Sequence, residues 1–438
     1  MSDSLVRPLP LAPLVARLRT ADEVAVRALV DDLLTRAEEV EPVVRALVPE
    51  EGRRERLDQE IAALLARWPD PSERPALFGV PVGVKDIIAV DGLATHAGSA
   101  VPAEAFAMPE ASVVAHLREA GALVFGKTVT AEFASMPPGG TANPHNPRHT
   151  PGGSSSGSAA GVAAGTFPLS LGTQTGGSVN RPAAFCGIVG FKPSYGRIPT
   201  DGVLPHAISV DTLGLFAQDL EGVALAASAV VEEWRGAVPP SASVAVVVPD
   251  GAYLEMTSEE GRRAFEDTVA CLEQSEVRVV RASFLDDVEE VLARHQVLMD
   301  AEFAAEHRDR FARWGALYSG AAAGRIDAAA TIPDAELEAG LAGREELRGR
   351  VAAFLDATGA DVLICPSAVG PAPASLQTTG DPRMNAPWTH AGVPTVSLPA
   401  GTVGGLPVGL QVVGRFGADE ELIGVAGILE GLASSDRT

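Results

Sequence analysis

The chain has 438 residues, 46% of them hydrophobic, which is enough to bury a large core. Its formal net charge is −23 and it carries no basic cluster, so neither a nucleic acid nor an anionic membrane surface is an expected partner. No apolar run has the length of a membrane-spanning helix, and the first ten residues lack the apolar segment of a signal peptide. Cys186, Cys271 and Cys365 are odd in number and far apart, which fits neither a disulfide framework nor a metal site, so we expect a protein of the reducing cytoplasm.

Two amphipathic helices open the predicted elements. Thr20 and Glu23 have the spacing of a capping box, which predicts a helix that starts there and ends at about Leu34. Its apolar residues recur at helical spacing and give it one buried face, as do those of a second helix predicted over residues 54–67.

From Phe78 onward, short β-rich runs alternate with helical segments. The predicted strands are residues 80–84, 123–125, 168–171, 244–248, 277–280, 362–364, 395–398 and 408–413. The predicted helices include residues 112–120, 156–165, 259–274, 287–310 and 345–357. Apolar strands that alternate with helices predict an α/β fold, in which a mixed, twisted central sheet is covered on both faces in an α/β/α sandwich.

We predict a single domain over residues 1–438, since the chain has no internal repeat and no long linker. The segment from about 231 to 350 differs from its flanks, because it is rich in Ala, Glu and Arg and poor in turn motifs. This texture fits surface helices packed on one side of the sheet. It fits equally well a variable helical cap that narrows the entrance to a substrate site.

Three short segments carry residues suited to acyl transfer. Ser154 and Ser178 each follow a Gly-Gly pair and stand 24 residues apart. Glycines let backbone N–H groups approach a ligand closely, and acyl transfer needs such donors beside a nucleophile to stabilise an oxyanion. Upstream, Lys85 lies in an otherwise apolar run, where a lysine can lose its proton. Taken alone, each segment also has a plain structural explanation: a glycine-rich turn with an incidental serine, or a surface lysine paired with Asp86.

Together the three segments resemble the Ser–cis-Ser–Lys core of the amidase signature family of C–N hydrolases. The run K-D-I-I-A-V-D-G-L-A-T-H-A-G-S over residues 85–99 is similar to a family pattern. The resemblance covers roughly residues 20–230 and 360–435 and extends to several further segments, which are residues 126–134, 183–197, 391–401 and 405–414.

This resemblance implies a role for each residue of the core. Ser178 would be the nucleophile, Ser154, after a cis peptide, would pass its proton on, and Lys85 would be the general base. The oxyanion would be held by backbone N–H groups of a short loop, Thr175, Gly176, Gly177 and Ser178. The resemblance implies no metal and no cofactor.

The sequence departs from the family beside the nucleophile. Many members have T-D-T-G-G-S-[IV]-R, whereas Gln174 and Asn180 stand here at the Asp and Arg positions and Arg181 comes one residue later. The loss of these charges disfavours a strict requirement for a charged substrate.

We expect an apolar substrate pocket that tolerates aromatic groups. The candidate lining residues are Phe133, Ala134, Met136, His206 and Trp388, and each of them is equally suited to the core. Such a pocket predicts a small-molecule substrate, with aryl amides first and esters and carbamates (urethanes) to a lesser extent. We expect the protein to work alone, as a monomer or homodimer.

Three alternatives stay open. The run G-S-S-S-G places Ser155 in the pattern of a Ser-His-Asp hydrolase, but residues 141–152 are polar and Pro-rich where such an elbow needs a strand. The amidase-like subunit of a glutamine-dependent tRNA amidotransferase has the same three residues, although Gln174 and Asn180 are unlike its usual motif. A catalytically inactive scaffold would have no reason to keep all three.

Overall fold

A ten-strand sheet lies at the centre of the computed structural model, which describes residues 4–240 and 243–435. The strands are β1 (Pro81–Lys85), β2 (Leu123–Thr128), β3 (Leu169–Gln174), β4 (Val189–Lys192), β5 (Thr212–Ala217), β6 (Ala245–Asp250), β7 (Arg278–Ser283), β8 (Val362–Pro366), β9 (Thr395–Val403) and β10 (Leu406–Val413). They lie side by side in the order β2-β1-β3-β5-β4-β9-β10-β8-β6-β7.

The sheet is mixed. At one end β2, β1 and β3 are parallel, and at the other end β8, β6 and β7 are parallel. The strands between these ends, from β3 through β5, β4, β9 and β10 to β8, are antiparallel to their neighbours. Every residue of β1 to β5 and of β8 is buried, which requires cover on both faces of the sheet.

Helices surround the sheet. They are α1 (Leu11–Leu18), α2 (Glu23–Val44), α3 (Arg53–Arg67), α4 (Ser112–Glu119), α5 (Ser156–Ala163), α6 (Asn180–Cys186), α7 (Leu220–Val230), α8 (Ala252–Glu255), α9 (Glu259–Glu273), α10 (Val288–Trp314), α11 (Gly320–Ala329), α12 (Asp334–Thr358), α13 (Ala386–Ala391) and α14 (Asp419–Ser435). The predicted α/β fold with a mixed central sheet is confirmed. Within the described residues, no helix is both long and apolar enough to cross a membrane.

All eight predicted strands are present, but the sequence did not predict β4 and β5, which lie in the middle of the sheet. Several helix boundaries also differ, and α2 continues to Val44 rather than ending at about Leu34. The cap of α2 is Asp22, whose carboxylate accepts from the N–H of Ala25 at 2.8 Å, and not Thr20, whose hydroxyl bonds the end of α1. The capping box at Thr20 was therefore wrong, because α1 reaches as far as the turn that holds it.

The segment 231–350 contributes to the sheet as well as to its cover. Strands β6 and β7 belong to the central sheet, and the purely helical part begins with α10. Helix α12 begins at Asp334 rather than at the predicted residue 345. Two glycines in its first half disfavour a helix on propensity, but Gly340 lets α12 pack closely on Leu298 of α10.

Candidate active site

Three strand ends meet at one edge of the sheet and form the floor of the candidate site. Strands β1 and β3 are parallel neighbours, with Val84 beside Leu171, so Lys85 at the end of β1 lies next to the last residues of β3. Strand β5 is antiparallel to β3, and Thr212 at its start pairs with Gln174. The chain just after β3 and just before β5 therefore leaves the sheet beside Lys85.

Lys85 is fully buried and contacts two hydroxyl groups. Its Nζ lies 2.8 Å from Ser154 Oγ and 2.7 Å from Thr173 Oγ1. Burial lowers the pKa of Lys85 from 10.5 to about 7, and the charge of Asp211 opposes that shift. A lysine with this pKa is neutral in a large fraction of molecules near pH 7, and its lone pair can then accept a proton.

The segment that precedes α5 holds Ser154 against this lysine. The Gly153–Ser154 peptide bond is cis, as the resemblance implied. On the next residue, Ser155 Oγ donates to the carbonyl of Thr173 at 3.1 Å and accepts from its N–H at 3.2 Å. Ser154 is thus fixed beside the end of β3, where its hydroxyl reaches Lys85.

The hydroxyl of Ser155 is not accessible to a substrate. The residue is fully buried and its hydroxyl is used by β3 in both directions. Residues 141–153 contain no strand, so the strand that a nucleophile elbow needs is missing. These observations disfavour the Ser-His-Asp alternative.

Ser178 lies in the loop between β3 and α6. The side-chain oxygen of Gln174 accepts from the N–H groups of Val179 (2.8 Å) and Asn180 (3.0 Å), which closes this loop at the start of α6. At its middle, Thr389 Oγ1 donates to the carbonyl of Gly176 at 2.7 Å. The loop that contains the predicted oxyanion donors is therefore held from both sides by buried side chains.

Gly177, just before Ser178, sits where no side chain fits. A Cβ there would overlap Asn385 Oδ1 and would lie 2.7 Å from Arg181 Nη1. The Gly-Gly pair thus reflects close packing behind the loop as well as freedom of its N–H groups.

Arg181 ties the two serine segments together. Its Nη2 donates to the carbonyl of Gly153 at 2.6 Å, and its Nε donates to the carbonyl of Thr379 at 2.7 Å. The first turn of α6, three residues after Ser178, is thereby joined to the peptide that precedes Ser154. Burial lowers the pKa of Arg181 to about 10, yet the group stays charged at neutral pH.

The three core residues differ in exposure in an order that matters. Lys85 is 0% exposed, Ser154 is 2% and Ser178 is 8%. The residue that would attack a substrate is the most accessible, and the base is the most deeply buried.

A cavity of about 30 Å³ lies beside the ends of β1 and β3, next to Thr173 and Thr175. Much of its wall is apolar, formed by Ile87, Ala134, Val203, Leu204, Pro205, Ile208 and Leu213. Ile208 is also 55% exposed, so the apolar surface continues from the wall to the outside.

The candidate lining residues lie in different places. Ala134 and His206 line the cavity, and the carbonyl of the buried Phe133 is 3.2 Å from His206 Nδ1.

The other two candidates are Met136 and Trp388. Met136 is half-buried, just before a cis peptide to Pro137. Trp388 is fully buried, bonds Tyr253 through its indole N–H and does not line this cavity.

His206 has a defined hydrogen-bonding state. Its Nε2 lies 2.7 Å from Nη1 of Arg325, which can only donate, so Nε2 accepts and Nδ1 carries the proton toward Phe133. Burial lowers the pKa of His206 well below its usual range. A neutral histidine with both nitrogens used positions its neighbours and is not placed as a base.

The geometry places the Ser154 hydroxyl in contact with a buried lysine that is largely neutral, and Arg181 joins the segment before Ser154 to the helix that follows Ser178. The family model described as Amidase matches residues 28–423. This chain belongs to the amidase signature family.

Known proteins agree with that assignment over most of the amidase chain. A glutamyl-tRNA(Gln) amidotransferase subunit from Shouchella clausii is 32% identical, with 94% of this chain and 95% of that protein covered. Mandelamide hydrolase from Pseudomonas putida is 33% identical, with 81% of this chain and 78% of that protein covered. A crystal structure of an amidase matches with a TM-score of 0.85 and 31% identity, over 97% of this chain and 99% of that one. The chain is thus an enzyme of the amidase class.

The departures from the family motif have clear places in this amidase. The side-chain oxygen of Gln174 accepts from the N–H of Val179, just before α6, and its Nε2 donates to Thr389 Oγ1 at 2.9 Å. Asn180 accepts from Thr395 Oγ1 at 3.0 Å. Arg181, one residue past the family position, is the charged group that reaches the segment of Ser154. A single cation therefore stands where many members have an Asp and an Arg.

Sequence reasoning missed Asp211, as it did the two threonines that contact the site, Thr173 and Thr389. Asp211 precedes β5, lines the cavity and accepts from Thr175 Oγ1 at 2.6 Å. No local motif marks it, because it reaches Thr175 only through the pairing of β3 with β5. A signal would have required the register of two strands, one of which the sequence did not predict.

Proposed function

We propose that this amidase hydrolyses small-molecule amides of apolar, mainly aryl, groups through an acyl-enzyme on Ser178. The observation that carries the proposal is the buried Lys85, whose Nζ lies 2.8 Å from Ser154 Oγ and whose pKa is about 7. A base that is neutral near the working pH and in contact with a hydroxyl relay is what a serine nucleophile needs.

The reaction proceeds in two half-reactions. Ser154 passes its proton to Lys85 and takes the proton of Ser178, whose oxygen attacks the substrate carbonyl. Backbone N–H groups of residues 175–178 hold the resulting oxyanion. The same protons return along the relay to the leaving nitrogen, the C–N bond breaks, and an ester to Ser178 remains. Water, deprotonated along the same relay, then cleaves the ester and frees the acid and Ser178.

The substrate class follows from the pocket and from the relay. The wall beside Thr173 and Thr175 is largely apolar, and Ile208 extends it outward. The similarity to mandelamide hydrolase favours an aromatic acyl group. An oxyanion site does not distinguish amide, ester and carbamate carbonyls, so aryl esters and carbamates (urethanes) should react to a lesser extent.

Steady-state kinetics on matched p-nitroanilides, p-nitrophenyl esters and aryl carbamates test this proposal. We expect turnover in all three classes. The value of kcat/KM should fall steeply when the aromatic acyl group of the substrate is replaced by a small polar acyl group. Turnover of a single small polar amide, with every aryl substrate inert, would contradict the substrate class.

A second candidate function is glutamine-dependent amide transfer within a complex. The observation that favours it is the 32% identity to the amidotransferase protein from Shouchella clausii over 94% of the chain. We expect instead that the purified chain works alone, as a monomer or homodimer in the cytoplasm. Ammonia release from glutamine, dependent on an added partner chain and absent with aryl amides, would favour the second candidate.

A further inference from the structure

Asp211 stands where the pairing of two strands ends. The antiparallel pairing of β3 and β5 ends with Gln174 opposite Thr212, so Thr175 and Asp211 are the next residues of the two chain segments beyond that pair. The side chains meet there, because Thr175 Oγ1 donates to Asp211 Oδ1 at 2.6 Å. The carboxylate of Asp211 therefore lies against Thr175, the first residue of the loop that leads to Ser178.

The second oxygen of this carboxylate is also occupied. Asp211 Oδ2 accepts from the N–H groups of His206 (2.7 Å) and Ala207 (3.0 Å). One side chain therefore accepts three hydrogen bonds, one from the loop that leads to Ser178 and two from the backbone of residues 206 and 207. Only a carboxylate can accept from all three donors without presenting an N–H or O–H to one of them.

Asp211 also faces the buried amine of the relay. Lys85 bonds Thr173, two residues before Thr175, and both threonines line the cavity together with Asp211. The charge of Asp211 favours the protonated amine, whereas burial disfavours it. Among the described residues, His206 also faces this cluster and is held neutral against the cation of Arg325. His295 of α10 lies against the backbone of Thr175, and burial lowers its pKa to about 4, so it is neutral too. The carboxylate of Asp86, next to Lys85 in the chain, is 3.3 Å from Lys127 Nζ instead.

We propose that Asp211 is a positioning residue with two linked roles: it orients the nucleophile loop through Thr175 and keeps the Lys85 amine from becoming too weak a base. The inference rests on the proposed function, because it takes Lys85 as the base and residues 175–178 as the oxyanion loop. Burial raises the pKa of Asp211 to about 6, so the carboxylate is charged in the pH range where Lys85 titrates.

Two variants separate the roles. Asp211→Asn removes the charge and turns an amide N–H toward at least one donor, so both roles are lost. Thr175→Val keeps the charge and the shape but removes the hydrogen bond, so only the orientation is lost. Thr175→Ser restores the hydroxyl and serves as the conservative rescue.

The measurement is the pH profile of kcat/KM with a p-nitroanilide, together with thermal unfolding of each variant. We expect Thr175→Val to lower kcat about ten- to hundredfold, as the loss of a hydrogen bond to a charged group implies. The acid limb of its pH profile, which is the rise of kcat/KM as Lys85 loses its proton, should stay at the same pH. Thr175→Ser should restore most of this loss. Asp211→Asn should lower kcat at least as much and move the acid limb to lower pH.

A merely structural role would lower the melting temperature and leave the acid limb in place. An unmoved limb in folded Asp211→Asn, or wild-type kcat in Thr175→Val, would overturn the inference. The proposed function is tested apart from it by Lys85→Met. If Lys85→Met keeps the wild-type rate, the relay itself is wrong. If it is inactive while Asp211→Asn behaves like the wild type, only the role of Asp211 is wrong.

Discussion

Replacing Lys85 with Met should abolish activity and at the same time stabilise the fold at neutral pH. The reason is that Lys85 has a pKa of about 7 in the folded chain against 10.5 for an unburied lysine. Between these values the unfolded chain binds more protons at this position than the folded chain does. The contribution of Lys85 to stability therefore rises with pH from about 7 to 10.5, and its full cost is present below pH 7.

The magnitude follows from the difference between the two pKa values. One pKa unit corresponds to about 1.4 kcal/mol, so the cost of keeping the amine buried is on the order of 4 kcal/mol at pH 7. Met has a similar length and no charge, so it removes that cost. It also removes the hydrogen bonds to Ser154 and Thr173, which contribute about 1 kcal/mol each. The net gain at pH 7 is about 2 kcal/mol.

Chemical denaturation at several pH values measures this effect. The stability advantage of Lys85→Met over the wild type should shrink as pH rises from 7 toward 10. Lys192 offers a matched control, since burial also lowers its pKa to about 7 but its Nζ bonds only the carbonyls of Pro193 and Val393. Lys192→Met should show the same pH trend and keep its activity. A Lys85→Met protein that is less stable than the wild type by an amount independent of pH would refute the reasoning.

Three further predictions concern the catalytic rate. The kcat/KM of the wild type should rise with pH through about 7, because Lys85 must be neutral to act; a rate that falls over this range would exclude it as the base. Arg181→Met should lower kcat more than it raises KM, because the bond to the carbonyl of Gly153 is lost, and a change in KM alone would contradict this role. Chelators should leave turnover of an aryl amide unchanged, because the relay uses only side chains, and inactivation by EDTA that zinc reverses would contradict the mechanism.

The sequence predicted the fold class and most strands because apolar β-rich runs alternate with helical ones along the chain. It missed β4 and β5 because these segments are strands only by virtue of their hydrogen-bonded pairing with adjacent strands of the sheet. The run T-L-G-L-F-A of β5 is short, and its place is fixed by β3 on one side and β4 on the other. Pairing of distant segments is not visible in a local pattern.

The same limit applies to the site. Lys85, Ser154 and Ser178 could be proposed from the sequence because each lies in a short, recognisable segment. Asp211 and the bond from Arg181 to Gly153 could not be, because the groups that they join come together only when β3, β5 and α6 are in place. The lining of the pocket was the least predictable part, since it combines loops from several parts of the chain.

The most direct test of the proposed mechanism is to locate the acyl group. The enzyme is quenched with acid during turnover of a p-nitrophenyl ester, and the modified peptide is sequenced by mass spectrometry. We predict an acyl adduct on Ser178 that is absent in Ser178→Ala and accumulates when Lys85 is replaced by a weaker base. An adduct on Ser155, or an undiminished rate in Ser178→Ala, would contradict the account.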